Sequence, residues 1–349
     1  MTTIHRTRFV TMLCASLLVG GSPADGAPPD DTAGASPRSA WYERYLEARQ
    51  GPEQTDQIVR TFEVGSEGSL DLSNISGDVN VTATEGRQLQ VEATRRVRHP
   101  EADVARQVLN ELRVEITQVG SRVEVRTSYP RQGRRGEPRG TWARVDYLIR
   151  VPVATAVNIR TVSGDTRVTG VSGEVRAEAV SGDVTLVGTP SVVTARTVSG
   201  NVTARDAGGA QGLMLGTVSG TVRAEGLKAR GLDCSSVSGD IELSAVETDR
   251  LQAKSVSGSI AFGAPLRRGG RYEFGTHSGD VRITLATDTG FELDASTFSG
   301  SVRADLPVTL RPGDGGRRGN PRAIRGVHGD GGAVLVVKTF SGTVVIGRR

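Results

Sequence analysis

From Thr61 to Val153 apolar and polar residues alternate with a period of two: Leu70 and Leu72, Val79 and Val81, Leu89 and Val91, Val114 and Ile116, Val123 and Val125, then Val145, Tyr147 and Ile149. Alternation of this kind sets one side of an extended chain against a core and the other in water, so each group predicts a half-buried strand. One stretch breaks the pattern. Between Glu101 and Leu112, Val104, Val108 and Leu112 recur every four residues, and Glu101 and Asp103 stand where the first turn of a helix favours acids. The expectation is a strand region, 61–153, that carries one short helix, 101–112.

Beyond Val153 a repeat takes over. Ser-Gly pairs stand at Ser163-Gly164, Ser181-Gly182, Ser199-Gly200, Ser219-Gly220, Ser238-Gly239, Ser257-Gly258, Ser278-Gly279, Ser299-Gly300 and Ser341-Gly342, with Ser172-Gly173 between the first two and an early copy at Ser76-Gly77. From Ser181 onward the steps are 18, 20, 19, 19, 21, 21 and 42 residues. A period near 20 is the mark of a solenoid, in which no repeat buries its apolar side alone and neighbours complete the core. The last step is twice 21, which predicts one copy without its signature in the Gly/Arg-rich insert 312–332. The fold class expected is all-β, a β-helix-like solenoid of stacked ~20-residue coils over residues 154–349.

Aligned on the serine, four columns are largely apolar: six before (Leu213, Leu232, Leu251), four before (Leu215, Cys234, Ala253), one before (Val198, Val218, Val237) and three after (Val202, Val222, Ile241). If all four point inward, the parity changes just ahead of the serine, which calls for a bulge or corner there, and Gly fits a bend that a β-carbon would block. Second turns fall midway, as at Gly188-Thr189-Pro190 and Gly208-Gly209, and Ser172 takes the opposite corner of its coil. About nine coils at ~4.8 Å would stack over roughly 45 Å. Two before the serine stands a hydroxyl column, Thr161, Thr197, Thr217, Ser236, Ser255, Thr276, Thr297 and Thr339. Pointing outward, it would offer a regular array for glycan or ordered water; otherwise it serves turn chemistry and hydrogen bonds between coils.

The start of the chain bears on compartment. His5, Arg6 and Arg8 precede an apolar run from Phe9 to Val19 and small residues at Ala24-Asp25-Gly26-Ala27, the pattern of a cleaved signal peptide over residues 1–27. The run is too short for a bilayer, which needs ~20 residues, so no transmembrane anchor is expected in the mature chain. The protein is then exported, to the periplasm, the cell surface or beyond. Residues 28–60 read as a flexible lead-in with a short amphipathic helix around Trp41, Tyr45 and Ala48. Cleavage leaves Cys234 as the one cysteine, which excludes an intramolecular disulfide and suits a small buried apolar residue.

The formal net charge is +4, and the arginines gather in short groups at 95–98, 131–139, 267–268, 317–318 and 348–349 rather than along one face. With 4% aromatic residues there is no stacking platform for single strands, so no nucleic acid is expected as a partner. An acidic polysaccharide or an anionic envelope surface stays open. The acidic column two after the serine, Asp78, Asp165, Asp183, Asp240 and Asp280, is interrupted by Asn201, Thr221, Ser259, Ser301 and Thr343, which disfavours calcium and its six to eight oxygens. His99, His277 and His328 have neither metal nor triad spacing, and equivalent serines without a base are turn residues. No cofactor, metal or catalytic residue is expected, and the Ser-Gly pairs are assigned to the turns of the repeat.

The stretches Leu72-Ser73-Asn74-Ile75-Ser76-Gly77-Asp78-Val79, Tyr147-Leu148-Ile149-Arg150-Val151-Pro152 and Val180-Ser181-Gly182-Asp183-Val184 resemble a bacterial putative-adhesin family of β-strand-repeat proteins, over roughly residues 61–346. The resemblance implies an exported or envelope-associated β-solenoid, adhesion as its role, and no catalytic residues to carry over; the insert 312–332 departs from it. The expected function is a non-enzymatic, adhesin-like structural or interaction module of the cell envelope, with an unknown envelope protein or polysaccharide as partner. Two alternatives stay open: a polysaccharide-binding or polysaccharide-cleaving β-helix protein, and a periplasmic partner of an envelope signalling system.

Overall fold

The computed structural model describes residues 52–129, 141–285, 289–310 and 322–348. The expected signal peptide, the helix around Trp41, the arginine-rich loop 131–139 and residues 312–321 of the insert lie outside them. Among the described residues the chain forms two sheets, of 13 and 15 strands, and one helix, Ala102–Glu111.

Ten rungs run through both sheets. Each begins with a long strand that ends on the serine, such as Val192–Ser199, turns at Ser-Gly, and continues as a short strand in the other sheet, such as Val202–Arg205. Neighbouring rungs pair parallel with the serines in line, Ser163 with Ser181, Ser181 with Ser199, and Ser199 with Ser219. Val, Leu, Ile and Ala from the two sheets fill the space between them, with Tyr147, Tyr272, Phe262 and Phe291 as the largest wholly buried side chains. Such β-branched and aliphatic residues suit a pleated, half-buried surface.

Alternation over the last residues of the long strands runs unbroken up to the corner, which corrects the expected parity change. The residues four and two before the serine point inward, as does the one six before except in Val192–Ser199, where a register shift buries Val192 and Thr194 on either side of Val193, and the residue directly before the serine points out. Thr197 is 4% exposed and Val198 47%. The direction changes at the glycine instead, whose φ is +126° at Gly182, +146° at Gly200 and +143° at Gly220. A β-carbon on Gly200 would also lie well inside van der Waals distance of the Gly182 carbonyl one rung away. Two independent constraints therefore call for glycine at the same place.

The rungs begin earlier than the boundary at 153 suggests. Strands Ser69–Ser76 and Val79–Thr84 form a full rung, and they pair with Ala156–Ser163 and Thr166–Thr169. Antiparallel strands close this end: Glu53–Glu63 on Gln88–Arg98, which pairs in turn with Trp142–Pro152, and Arg113–Val119 on Arg122–Ser128. Residues 53–60, expected within the flexible lead-in, thus belong to a strand. The helix packs against this end, where Arg95 Nη1 donates to the carbonyls of Leu112 and Leu109 at 2.7 and 3.2 Å, satisfying acceptors that a helix C-terminus leaves open.

The other end departs further from expectation. After the rung Arg271–Ser278 and Val281–Leu285 the next strand in the sheet is not Phe291–Ser299 but Ala333–Ser341, which lies between the two. Its short strand Val344–Arg348 likewise lies between Val281–Leu285 and Val302–Ala304. No copy without its signature accounts for the 42-residue step. The chain leaves one slot open, builds the outermost rung, runs Ala323–His328 antiparallel along the outer side of Phe291–Ser299, and returns to fill the slot. Spacing along the chain is silent on this, because a strand reads the same wherever it enters a sheet.

Replacing Gly200 by Ala combines left-handed strain with a backbone collision and is expected to cost about 2–5 kcal/mol. Gly269, at φ +78° with open space around its missing β-carbon, carries the strain alone; its replacement is expected to cost about 1–2 kcal/mol. Urea unfolding of the two variants measures the difference, and equal losses would contradict the role given to the corner contact.

Candidate interaction surfaces

The corners hold every predicted Ser-Gly residue, and the structure shows what surrounds them. The Gly182 N–H donates to the Ser199 carbonyl of the next rung at 2.9 Å, and Gly200 to Ser219 at 3.0 Å, so the ladder passes through the turn without a gap. The acidic column does the same for the next amide. The Asp165 N–H donates to Asp78 Oδ1 at 3.0 Å, Asp183 to Asp165 at 2.9 Å, Asn201 to Asp183 at 2.7 Å and Thr221 to Asn201 Oδ1 at 2.9 Å. These oxygens bridge rung to rung rather than converging on one point, and among the described residues no three His, Cys, Asp or Glu are grouped to hold a metal ion.

The hydroxyl column lies inside, contrary to the outward array considered above. Thr197 Oγ1 donates to the Gly182 carbonyl at 3.0 Å, Thr217 to Gly200 at 2.9 Å, Ser255 to Gly239 at 3.1 Å and Thr276 to Gly258 at 3.1 Å. In the first rung Asn74 takes the place, its Nδ2 donating to Gly77 O at 3.2 Å and Val145 O at 3.0 Å. The glycine carbonyl of the neighbouring rung receives these hydroxyls, as buried polar groups require, and Thr161, beside the rung where Asn74 takes the Gly77 carbonyl, is the member whose hydroxyl is buried without such a partner. No glycan or ice lattice can reach these groups.

What the long-strand sheet does present is the residue directly before each serine. In spatial order these are Ile75, Val162, Val180, Val198, Val218, Val237, Val256, His277, Phe340 and Phe298, a single row across ten rungs. The apolar members are 42–68% exposed. At one end the rings stack nearly face to face, His277 on Phe340 at 4.7 Å and Phe340 on Phe298 at 4.8 Å. Near the other end Ile75, Val162, Val180 and Val198 floor a shallow groove of about 600 Å³, with Arg160 and Arg196 beside it. The signal was present in the sequence: adjacent columns cannot both face inward, and the columns four and six before the serine share parity with the hydroxyls.

The outer side of the short-strand sheet is polar. Arg167, Thr185, Thr203 and Arg223 stand side by side in successive rungs, and Arg282 and Arg303 follow farther along. Arg223 donates to both carboxylate oxygens of Glu242, at 2.7 and 3.1 Å, and this pairing holds its guanidinium above the ordinary arginine range. Arg167, Arg282 and Arg303 are exposed.

Among the described residues the one thiol is enclosed and the three imidazoles are apart. Cys234 is fully buried, and burial pushes its thiol far up from the usual range. His99 precedes the helix and accepts the Glu101 N–H at 3.1 Å, His277 lies in the exposed row, and His328 ends the strand Ala323–His328 with Nδ1 2.7 Å from the Pro307 carbonyl. No helix among the described residues is long and apolar enough to cross a membrane.

Residues 191–347 match a family model described as Toastrack DUF4097. None of the curated proteins matches the chain. Among solved structures, the chain is similar to a "putative adhesin" from Bacteroides fragilis NCTC 9343, 12% identical with a TM-score of 0.39, covering 83% of this chain and 96% of that one. It is also similar to a "putative cell adhesion protein" from Clostridium sporogenes ATCC 15579, at 10% identity and a TM-score of 0.21 over 85% of this chain and 100% of that one. A third is a "putative lipid binding protein" from Parabacteroides distasonis ATCC 8503, at 12% and 0.34 over 84% and 97%.

The two columns beside the corner should respond oppositely to near-isosteric change. Thr217→Val removes the hydroxyl that serves the Gly200 carbonyl and is expected to cost about 1–2 kcal/mol. Val218→Thr, next in the chain but facing water, should stay within about 0.5 kcal/mol of the parent. Denaturant midpoints of both variants decide it, and a reversed order would reinstate the inward valine.

Proposed function

We propose that the chain is an adhesin-like, non-enzymatic module of the bacterial cell envelope: a β-solenoid that holds an acidic polysaccharide along the outer side of its short-strand sheet. One observation carries this reading. Polar groups at the corners bond from rung to rung, whereas Arg167, Thr185, Thr203, Arg282 and Arg303 of the short-strand sheet face outward in one column, in which Arg223 is tied to Glu242. An exposed arginine–anion pair contributes at most about 1 kcal/mol, so a small ligand gains little from this face. A polymer that touches many rungs gains from each contact once the first is made. The repeats around Leu72–Val79 and Val180–Val184, with their resemblance to adhesin-type proteins, support the same assignment. Export through the signal peptide 1–27 belongs to it, with the periplasm, the cell surface or the medium as its destination.

The test is binding of residues 28–349 to a panel of envelope polysaccharides and to whole cells. Arg167→Glu, Arg282→Glu and Arg303→Glu together are expected to weaken capture of acidic polymers at least tenfold, and the parent's binding should fall as salt rises. Unchanged binding by the triple variant, or shortening of the polymer by the parent, would overturn the reading, the second in favour of a polysaccharide-cleaving β-helix.

A further inference from the structure

We infer that the exposed apolar row of the long-strand sheet is a self-association surface, on which a second copy of this chain lies parallel to the first, rung against the same rung. The row is continuous: nine of its ten members are apolar, and the tenth, His277, stacks on Phe340. Apolar surface of this extent on a protein otherwise dressed in charge marks a contact with another molecule. Ten rungs at ~4.8 Å and the width of about five strand residues give a strip of roughly 700 Å², near the ~800 Å² that each partner of a stable interface buries.

The borders of the strip indicate which partner fits. Upstream of the row, three before the serine, stand Arg160, Arg196, Lys254 and Lys338, with Glu178 as the one acid, 3.5 Å from Arg160. Downstream, at the rim of the corner, stands the acidic column of Asp165, Asp183, Asp240 and Asp280. A second copy related by a two-fold axis along the row lays its apolar residues on the first copy's and sets Arg160 over the partner's Asp165, while Arg196, Lys254 and Lys338 meet Asn201, Ser259 and Thr343 with Asp183, Asp240 or Asp280 one rung away. An axis across the row would instead set cations on cations. Like-charge contact is costly, and the pattern therefore selects the parallel arrangement. The second copy also has the rung spacing of the first by construction, so ten side chains meet ten without loss of register. The arginine row lies on the opposite sheet, so this pairing stands apart from polysaccharide binding and would double the number of sites presented to a polymer.

Sedimentation of residues 28–349 tests the pairing. The parent is expected to be dimeric at micromolar concentration, and Val180→Glu, Val218→Glu and Val256→Glu together should weaken association at least a hundredfold while circular dichroism stays unchanged. If that variant fails to fold, the three corresponding threonine substitutions, isosteric and already outward, replace it and should weaken association at least tenfold. Orientation is read from Val162→Cys, which should form a disulfide between two copies on mild oxidation, since Cys234 is buried. A parent that stays monomeric at 50 micromolar, counted as roughly ten times a typical weak dimer constant, overturns the inference. So does a dimer indifferent to all of these substitutions, or a monomer that floats with phosphatidylglycerol vesicles through the same valines, which would assign the row to lipid. Crosslinking of Val162→Cys only with Phe340→Cys overturns the parallel arrangement.

Discussion

Everything in this protein follows from how closely one glycine corner approaches the next. The carbonyl of each corner glycine occupies the space where a β-carbon of its neighbour would stand, and most of these glycines adopt a left-handed backbone. With that contact fixed, serine aligns with serine, the amide ladder passes through the turn, and the strands on both sides take the register that the corner gives them. The hydroxyl column and the acidic column are secondary to it. Each supplies an acceptor or donor that a tight, left-handed turn would otherwise leave without a partner.

Much of this was legible because it is periodic. The strands up to Val153, the single helix, the repeat and the positions of the corners all follow from spacing and alternation. Two matters were not legible, for different reasons. Equating apolar with inward placed Val198 and its equivalents inside, although Thr197, one residue earlier, is the buried one; a backbone acceptor offsets the cost of burying a hydroxyl, and hydropathy does not register the acceptor. The place of Ala333–Ser341 in the sheet was hidden as well. Its sequence specifies a strand that ends on Ser-Gly, which is compatible with every slot, and only the pairing partners distinguish the slots.

The surfaces were less legible than the core. Charge counts found arginines grouped in short runs, but Arg167, Arg282 and Arg303 belong to no run in the sequence and come into line only when the rungs stack. Conversely, the acids at the corners looked like a possible ligand set and turn out to bond the amides of the next rung. Side chains of one type therefore have opposite roles here, depending on whether the backbone beside them has an open donor.

The slot filled by residues 333–348 sets the order in which this molecule can be completed. The chain emerges from the ribosome in sequence, yet its last strands belong in the interior of both sheets, between neighbours already made. A nascent or truncated chain that stops at Gly332 therefore presents two facing strand edges at once, both open to whatever strand arrives. Such edges template pairing with other chains. The two sheets therefore close only when Ala333–Ser341 and Val344–Arg348 enter between neighbours already made, and residues 333–348 act as the key that locks them.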